Sequence, residues 1–209
     1  MTIRSIRIRR RWPAALGGIA AAIALAAPAQ AACPTDGLSQ VFFTPWGDTA
    51  LYRAVDGGAF ETGGAGWTLK GNATIVDDHS GWNITGPNAH SLELRKSSSA
   101  TSPPICVGSG SPTARMFGFT PTRVLESGST LQVEVLYADR TRGGQAVKKL
   151  GTLPDELAWD ATRKISVAQG QLNIKPDSNG NTFIQYRFTP LFGTTWRIDD
   201  LFIDPRLKY

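Results

Sequence analysis

The chain is poor in the residues that carry most enzyme chemistry. In 209 residues there are only two histidines, His79 and His90, and two cysteines, Cys33 and Cys106. Both histidines sit in Gly-, Asn-, Asp- and Ser-rich runs and read as loop residues, and two cysteines are too few for a thiolate-based zinc site. The nucleophile elbow G-x-S-x-G is absent, because Gly108-Ser109-Gly110-Ser111 has the wrong spacing. Neither the phosphate-cradling nor the dinucleotide glycine signature occurs. Any two acids can meet in space, but no pair is singled out for glycoside hydrolysis, so no catalytic residue is assigned. No amphipathic helix of convincing length is present. The longest apolar run, Ala14 to Ala27, is about 14 residues and mostly Ala, short of the ~20 that a bilayer span requires.

That short run belongs to an export signal. Arg4, Arg7, Arg9, Arg10 and Arg11 precede it without any acid, and Ala29-Gln30-Ala31 follows, which places cleavage after Ala31. The expected organisation is a signal peptide over 1–31 and one domain over 32–209. Trp12-Pro13 stands where a twin-arginine signal usually carries an apolar pair, so general secretion is favoured over the twin-arginine route. Lys and Arg total 22 against 17 Asp and Glu, and all five basic residues of the signal are discarded, which leaves 17 against 17. The basic excess therefore gives no argument for a nucleic-acid partner.

In an exported chain the two cysteines read as one disulfide, Cys33 to Cys106, the alternative being two free thiols. The bridge closes a loop of 74 residues, worth on the order of 4 kcal/mol in the chain-entropy picture, and tethers an N-terminal segment that otherwise frays.

Beyond the signal, short strand-like runs alternate with Gly, Pro, Asn, Asp and Ser clusters. The candidates are Gln40 to Phe43, Gly66 to Val76, Ser91 to Leu94, Ala114 to Thr120, Thr130 to Tyr137, Lys164 to Ala168, Thr182 to Thr189 and Thr195 to Ile203. This pattern predicts an all-β, two-sheet antiparallel sandwich or jelly roll. One helical turn is expected at Asp48 to Val55, capped by Asp48. Two strands alternate cleanly enough to assign faces. Leu131, Val133 and Val135 point to the core and Gln132 and Glu134 outward. Ile184, Tyr186 and Phe188 point inward, leaving Gln185 and Arg187 outward beside Phe183. These four polar residues are either a binding surface or a solvated one.

Flat rings stack on the C–H faces of sugars. Trp67 and Trp196 lie in apolar strands and read as core. Trp82 and Trp159 lie in loop-like settings, as exposed platforms or as lids folded over the core.

Phe60-Glu61-x-Gly63-Gly64-x-Gly66-Trp67-x-Leu69-x-Gly71, then Ser91-Leu92-x-Leu94, then Trp196-Arg197-Ile198-Asp199-Asp200-Leu201 resembles the frame of galactose-binding-like jelly rolls of the carbohydrate-binding-module type. With Cys33, Phe42-Phe43-x-Pro45-Trp46-Gly47-Asp48 and Ser102-Pro103-x-x-Cys106-Val107 included, the order also resembles a group of exported actinobacterial proteins. The jelly-roll resemblance implies a structural calcium between an early acid and an aspartate of the last strand, which falls on Glu61 and Asp199. The alternative is that both acids bond loop amides or an arginine.

Three functions remain open on the sequence. The first is a secreted, non-catalytic glycan- or surface-binding module with Trp82, Trp159, Gln132, Glu134, Gln185 and Arg187 as ligand-binding candidates. The others are a small secreted polysaccharide hydrolase, and a structural envelope protein with no small ligand.

Overall fold

The computed structural model describes residues 40–204 apart from 83, 85, 87, 108–111, 123–129, 169, 171 and 177–181, all within the unit Ala32–Tyr209. The expected signal 1–31 and Cys33 lie outside the described residues.

Thirteen strands are described: β1 Arg53–Ala54, β2 Thr68–Lys70, β3 Ala73–Val76, β4 Ser91–Leu94, β5 Ser99–Thr101, β6 Ile105–Val107, β7 Thr113–Thr122, β8 Leu131–Ala138, β9 Gln145–Leu153, β10 Asp160–Ala161, β11 Ile165–Ser166, β12 Thr182–Pro190 and β13 Thr195–Asp204. They form two antiparallel sheets. One runs β10-β7-β13-β4-β3 with β1 and β11 alongside, the other β2-β5-β12-β8-β9 with β6 alongside. Consecutive strands cross repeatedly from one sheet to the other, which is the connectivity of a jelly-roll sandwich.

The main core lies between the sheets. Leu92, Leu94, Met116, Leu131, Val133, Val135, Ile184, Tyr186, Phe188, Trp196 and Ile198 are all buried there. Trp67 enters from the β2 end, with ring centroids 5.0 Å from Phe60 and 6.2 Å from Phe188. A second core sits on the other side of β7 and β13, where Phe43, Tyr52, Phe117, Ala161 and Phe202 cluster. Strand alternation explains the division: Met116 faces one cluster and its neighbour Phe117 the other.

Three expectations need correction. The run Gly66 to Val76 is two strands in different sheets, broken at Gly71, whose φ is +62° and where a Cβ would come within 2.3 Å of the Ser97 carbonyl oxygen. Only glycine takes that turn without a clash. The Gln40 to Phe43 candidate is a single bridge, Gln40 to Tyr52, leading into a 3₁₀ turn at Thr44–Trp46. The helical turn therefore precedes the predicted Asp48 to Val55 segment. Asp48 instead accepts from the Ala50 amide at 3.1 Å and the Tyr52 hydroxyl at 2.8 Å.

Candidate functional site

The four polar candidates stand on one face. Gln185 and Arg187 of β12 and Gln132 and Glu134 of β8 alternate with buried residues, so they point away from the core. Antiparallel register sets Thr68, Thr101, Arg187, Glu134 and Lys149 side by side across five strands. Arg187 Nε donates to Glu134 Oε2 at 2.7 Å, which fixes the guanidinium across the sheet. Gln185 Nε2 donates to the Ser102 carbonyl at 2.8 Å, and Gln145 Nε2 donates to Gln185 Oε1 at 3.1 Å.

Two adjoining cavities open on this face. A polar one of about 210 Å³ is lined by Thr68, Lys70, Ser99, Thr101, Gln185 and Arg187 among others. A more apolar one of about 360 Å³ has Pro104, Tyr137 and Phe183 on its wall. Leu136, Gln145 and Gln185 line both, which makes them one groove. Gln132 lies farther along β8, opposite Thr189 and Thr152. The groove offers amide, hydroxyl and guanidinium groups beside an apolar wall, the composition of a small-ligand site. Lys70, Ser99, Thr101 and Gln145 were not legible as site residues, since β2 and β5 are too short to show alternation. Gln145 opens β9, whose lysines hide its period.

Trp82 and Trp159 are not brought to this groove. They lie over the outward face of the other sheet, on consecutive outward residues of β7. Trp82 stacks on Phe117 at 6.0 Å and 11°, and Trp159 tilts against Phe119 at 5.7 Å. Trp46 fills the corner, 4.8 Å from Trp82, with its indole N–H donated to Asp160 at 2.6 Å. Trp82 is 42% exposed. The Trp159 indole N–H is buried without a partner, so that ring lies down as a lid.

Glu61 and Asp199 both anchor the loop that follows β3. Asp199, fully buried, accepts from Ser80 N at 3.0 Å and Asn88 Nδ2 at 3.1 Å on Oδ2, and from Asp200 N at 2.8 Å on Oδ1. Burial pushes its carboxyl above the usual range despite those donors. Glu61 Oε1 accepts from Ala89 N at 2.9 Å and His90 N at 2.8 Å, and its Oε2 lies 3.2 Å from His90 Nδ1. Burial acts to raise this carboxyl too, but the amide and imidazole donors outweigh it and hold it low. His90 also reaches Asp77, with Nε2 3.5 Å from Oδ1. Among the described residues no group of three His, Cys, Asp or Glu is placed to hold a metal ion. Most of the carboxylate lone pairs face N–H donors, and among the described residues Asn88 Oδ1 in the same loop is buried with no donor.

No family model matches the chain, and no curated protein matches it. Solved structures with a similar chain path include the CBM22-1-GH10 modules of the Clostridium thermocellum N-terminal endo-1,4-beta-D-xylanase 10B complexed with xylohexaose. The identity there is 17% and the TM-score 0.48, over 69% of this chain and 27% of that one. A second is the enzymatically active domain of bacteriophage CBA120 tailspike protein 4, at 13% and 0.47, over 72% of this chain and 21% of that one. A third is the module TmCBM61 in complex with beta-1,4-galactotriose, at 18% and 0.43, over 73% and 98%. The chain thus spans about a quarter of the xylanase structure and a fifth of the tailspike domain.

Proposed function

We propose that this chain is an exported, non-catalytic glycan-binding module whose ligand lies in the groove across β2, β5, β12 and β8. The observation that carries the reading is the groove itself: Gln185 and Arg187, held by Ser102 and Glu134, stand beside the apolar wall of Phe183, Tyr137 and Pro104. Sugars need both kinds of surface, hydrogen-bonding groups for their hydroxyls and an apolar wall for their C–H faces. Export rests on the signal over 1–31, and a Cys33–Cys106 bridge is consistent with the absence of free cysteine among the described residues.

A glycan array probed with the exported protein tests the reading, on material whose intact mass reports cleavage after Ala31 and the bridge. Gln185→Ala and Arg187→Ala are each expected to weaken the bound glycan roughly tenfold, beyond any fall in melting temperature from losing the bonds to Ser102 and Glu134. Trp82→Ala, on the opposite face, is expected to leave that binding intact. Binding lost in the Trp82 variant and kept in the two groove variants would place the ligand elsewhere.

A structural calcium at Glu61 and Asp199 is the second part of the reading, supported by the donorless Asn88 oxygen in the same loop. A cation there gives this oxygen the positive partner that it lacks, with carboxylate oxygens as further ligands. A ligand bound only by the folded state, at 100 times its dissociation constant, stabilises by about 2.7 kcal/mol. Chelator is therefore expected to lower the melting temperature, and Asp199→Ala to abolish the difference. Identical melting in millimolar calcium and in excess chelator would leave the two acids as loop anchors alone.

A further inference from the structure

The groove face is charged although the chain beyond the signal is formally neutral. On the outward side of β2, β5, β8, β9 and β12 the charged residues are Lys70, Lys149, Arg187 and Glu134, three cations against one anion. Glu134 occupies only the Nε edge of Arg187. Among the described residues the two terminal nitrogens of that guanidinium form no hydrogen bond and Lys70 forms no ion pair, although both residues line the same cavity of about 210 Å³. The other polar lining is neutral: Thr68, Ser99, Thr101, Gln145 and Gln185.

We infer that the groove selects glycans that carry carboxylates, that is, uronic acid residues. A guanidinium fixed along one edge presents its other two nitrogens as a planar fork, and a carboxylate matches that fork with two parallel N–H···O bonds. Lys70 adds a second, freely orienting cation to the same cavity. Hydroxyls and amides on the remaining wall serve the sugar hydroxyls. This inference rests on the groove being the glycan site, and it names the class of sugar that the site takes.

The test measures affinity for oligogalacturonate and for glucuronoxylan fragments, each against its methyl ester, with dextran sulfate as an anionic control and a neutral glycan panel alongside. At least one of the free acids is expected to bind roughly tenfold or more tighter than its ester. That preference should shrink in Lys70→Gln and in Arg187→Gln, and weaken as salt is raised. Lys70 is fully surface-placed on a short edge strand, so its variant folds whatever becomes of Arg187→Gln. Equal binding of acid and ester overturns the inference and leaves the groove reading standing. Dextran sulfate bound as tightly as either uronate overturns it as well, since the face is then an unselective cationic patch. If the acid preference survives both substitutions, the carboxylate is recognised elsewhere and the inference fails. If no glycan of any kind binds, the groove reading itself fails and takes this inference with it.

Discussion

Replacing Trp196 with alanine is expected to cost roughly 3–5 kcal/mol, the range for deleting a buried large aromatic. Trp196 is completely buried and is the bulkiest of the fully enclosed side chains. It stands on β13, between β7 and β4, so the space left behind is walled by three paired strands that cannot collapse into it. The packing is tight: a Cβ at Gly118 would come within 3.2 Å of the indole and 3.3 Å of Thr162 Cγ2. For a domain of this length each kcal/mol moves the melting midpoint by about 2–4 °C, so a fall of roughly 6–20 °C is expected. Calorimetry or near-ultraviolet circular dichroism reads this directly. A midpoint within a degree or two of the parent would mean that the ring is not enclosed.

Removing the charge of Asp48 is the second large effect, and it appears in the pH dependence. Asp48 is buried, and Lys164 Nζ lies 2.9 Å from Oδ1 and Arg115 Nη1 3.3 Å from Oδ2. Arg115 is itself buried, donates Nε to the Thr162 carbonyl at 2.8 Å and lies 4.5 Å over the Phe43 ring. This cluster pins the segment from Phe43 to Tyr52 against β7. Burial alone raises the Asp48 carboxyl, but Lys164, Tyr52 and the Ala50 amide together pull it down from 3.8 to about 2. A carboxyl lowered in the folded state contributes stability above its unfolded value, and that contribution is lost as pH falls from about 4 through about 2. Asp48→Ala leaves Arg115 buried and uncompensated, at an expected cost of about 3–5 kcal/mol at neutral pH. Asp48→Asn keeps the shape, and its melting temperature should fall less steeply than the parent's between pH 4 and 2. Parallel curves for the two proteins would show that Asp48 does not carry the acid sensitivity.

How much of this was legible before the fold is best seen strand by strand. β8 and β12 follow the alternation of their own residues, because each has one face in the core and the pleat forces neighbours to opposite sides, whereas β4, β7 and β13 are buried on both faces along most of their length and show no such alternation. Gln185, Arg187, Gln132 and Glu134 were assigned outward for that reason. β9 escaped notice because it is an edge strand carrying Lys148, Lys149 and Gly151, exposed or half-exposed along most of its length. An edge strand guarded by lysine has little apolar alternation to read. β2 and β3 were merged because a positive-φ glycine is invisible to periodicity until its neighbour Ser97 is in place.

By itself the sequence determined which side of β8 and β12 their residues occupy, that Trp67 and Trp196 are core, and that the fold is built of strands. Tertiary structure alone decided which strands are neighbours. It put Lys70 and Arg187 in one cavity though 117 positions separate them. It sent Trp82 and Trp159 to the face opposite that cavity, over Phe117 and Phe119, and it turned Glu61 and Asp199 toward a shared loop. The reason is physical: alternation follows from the backbone of a single strand, whereas the choice of partner and register is made by non-local pairing and burial, which no local pattern encodes.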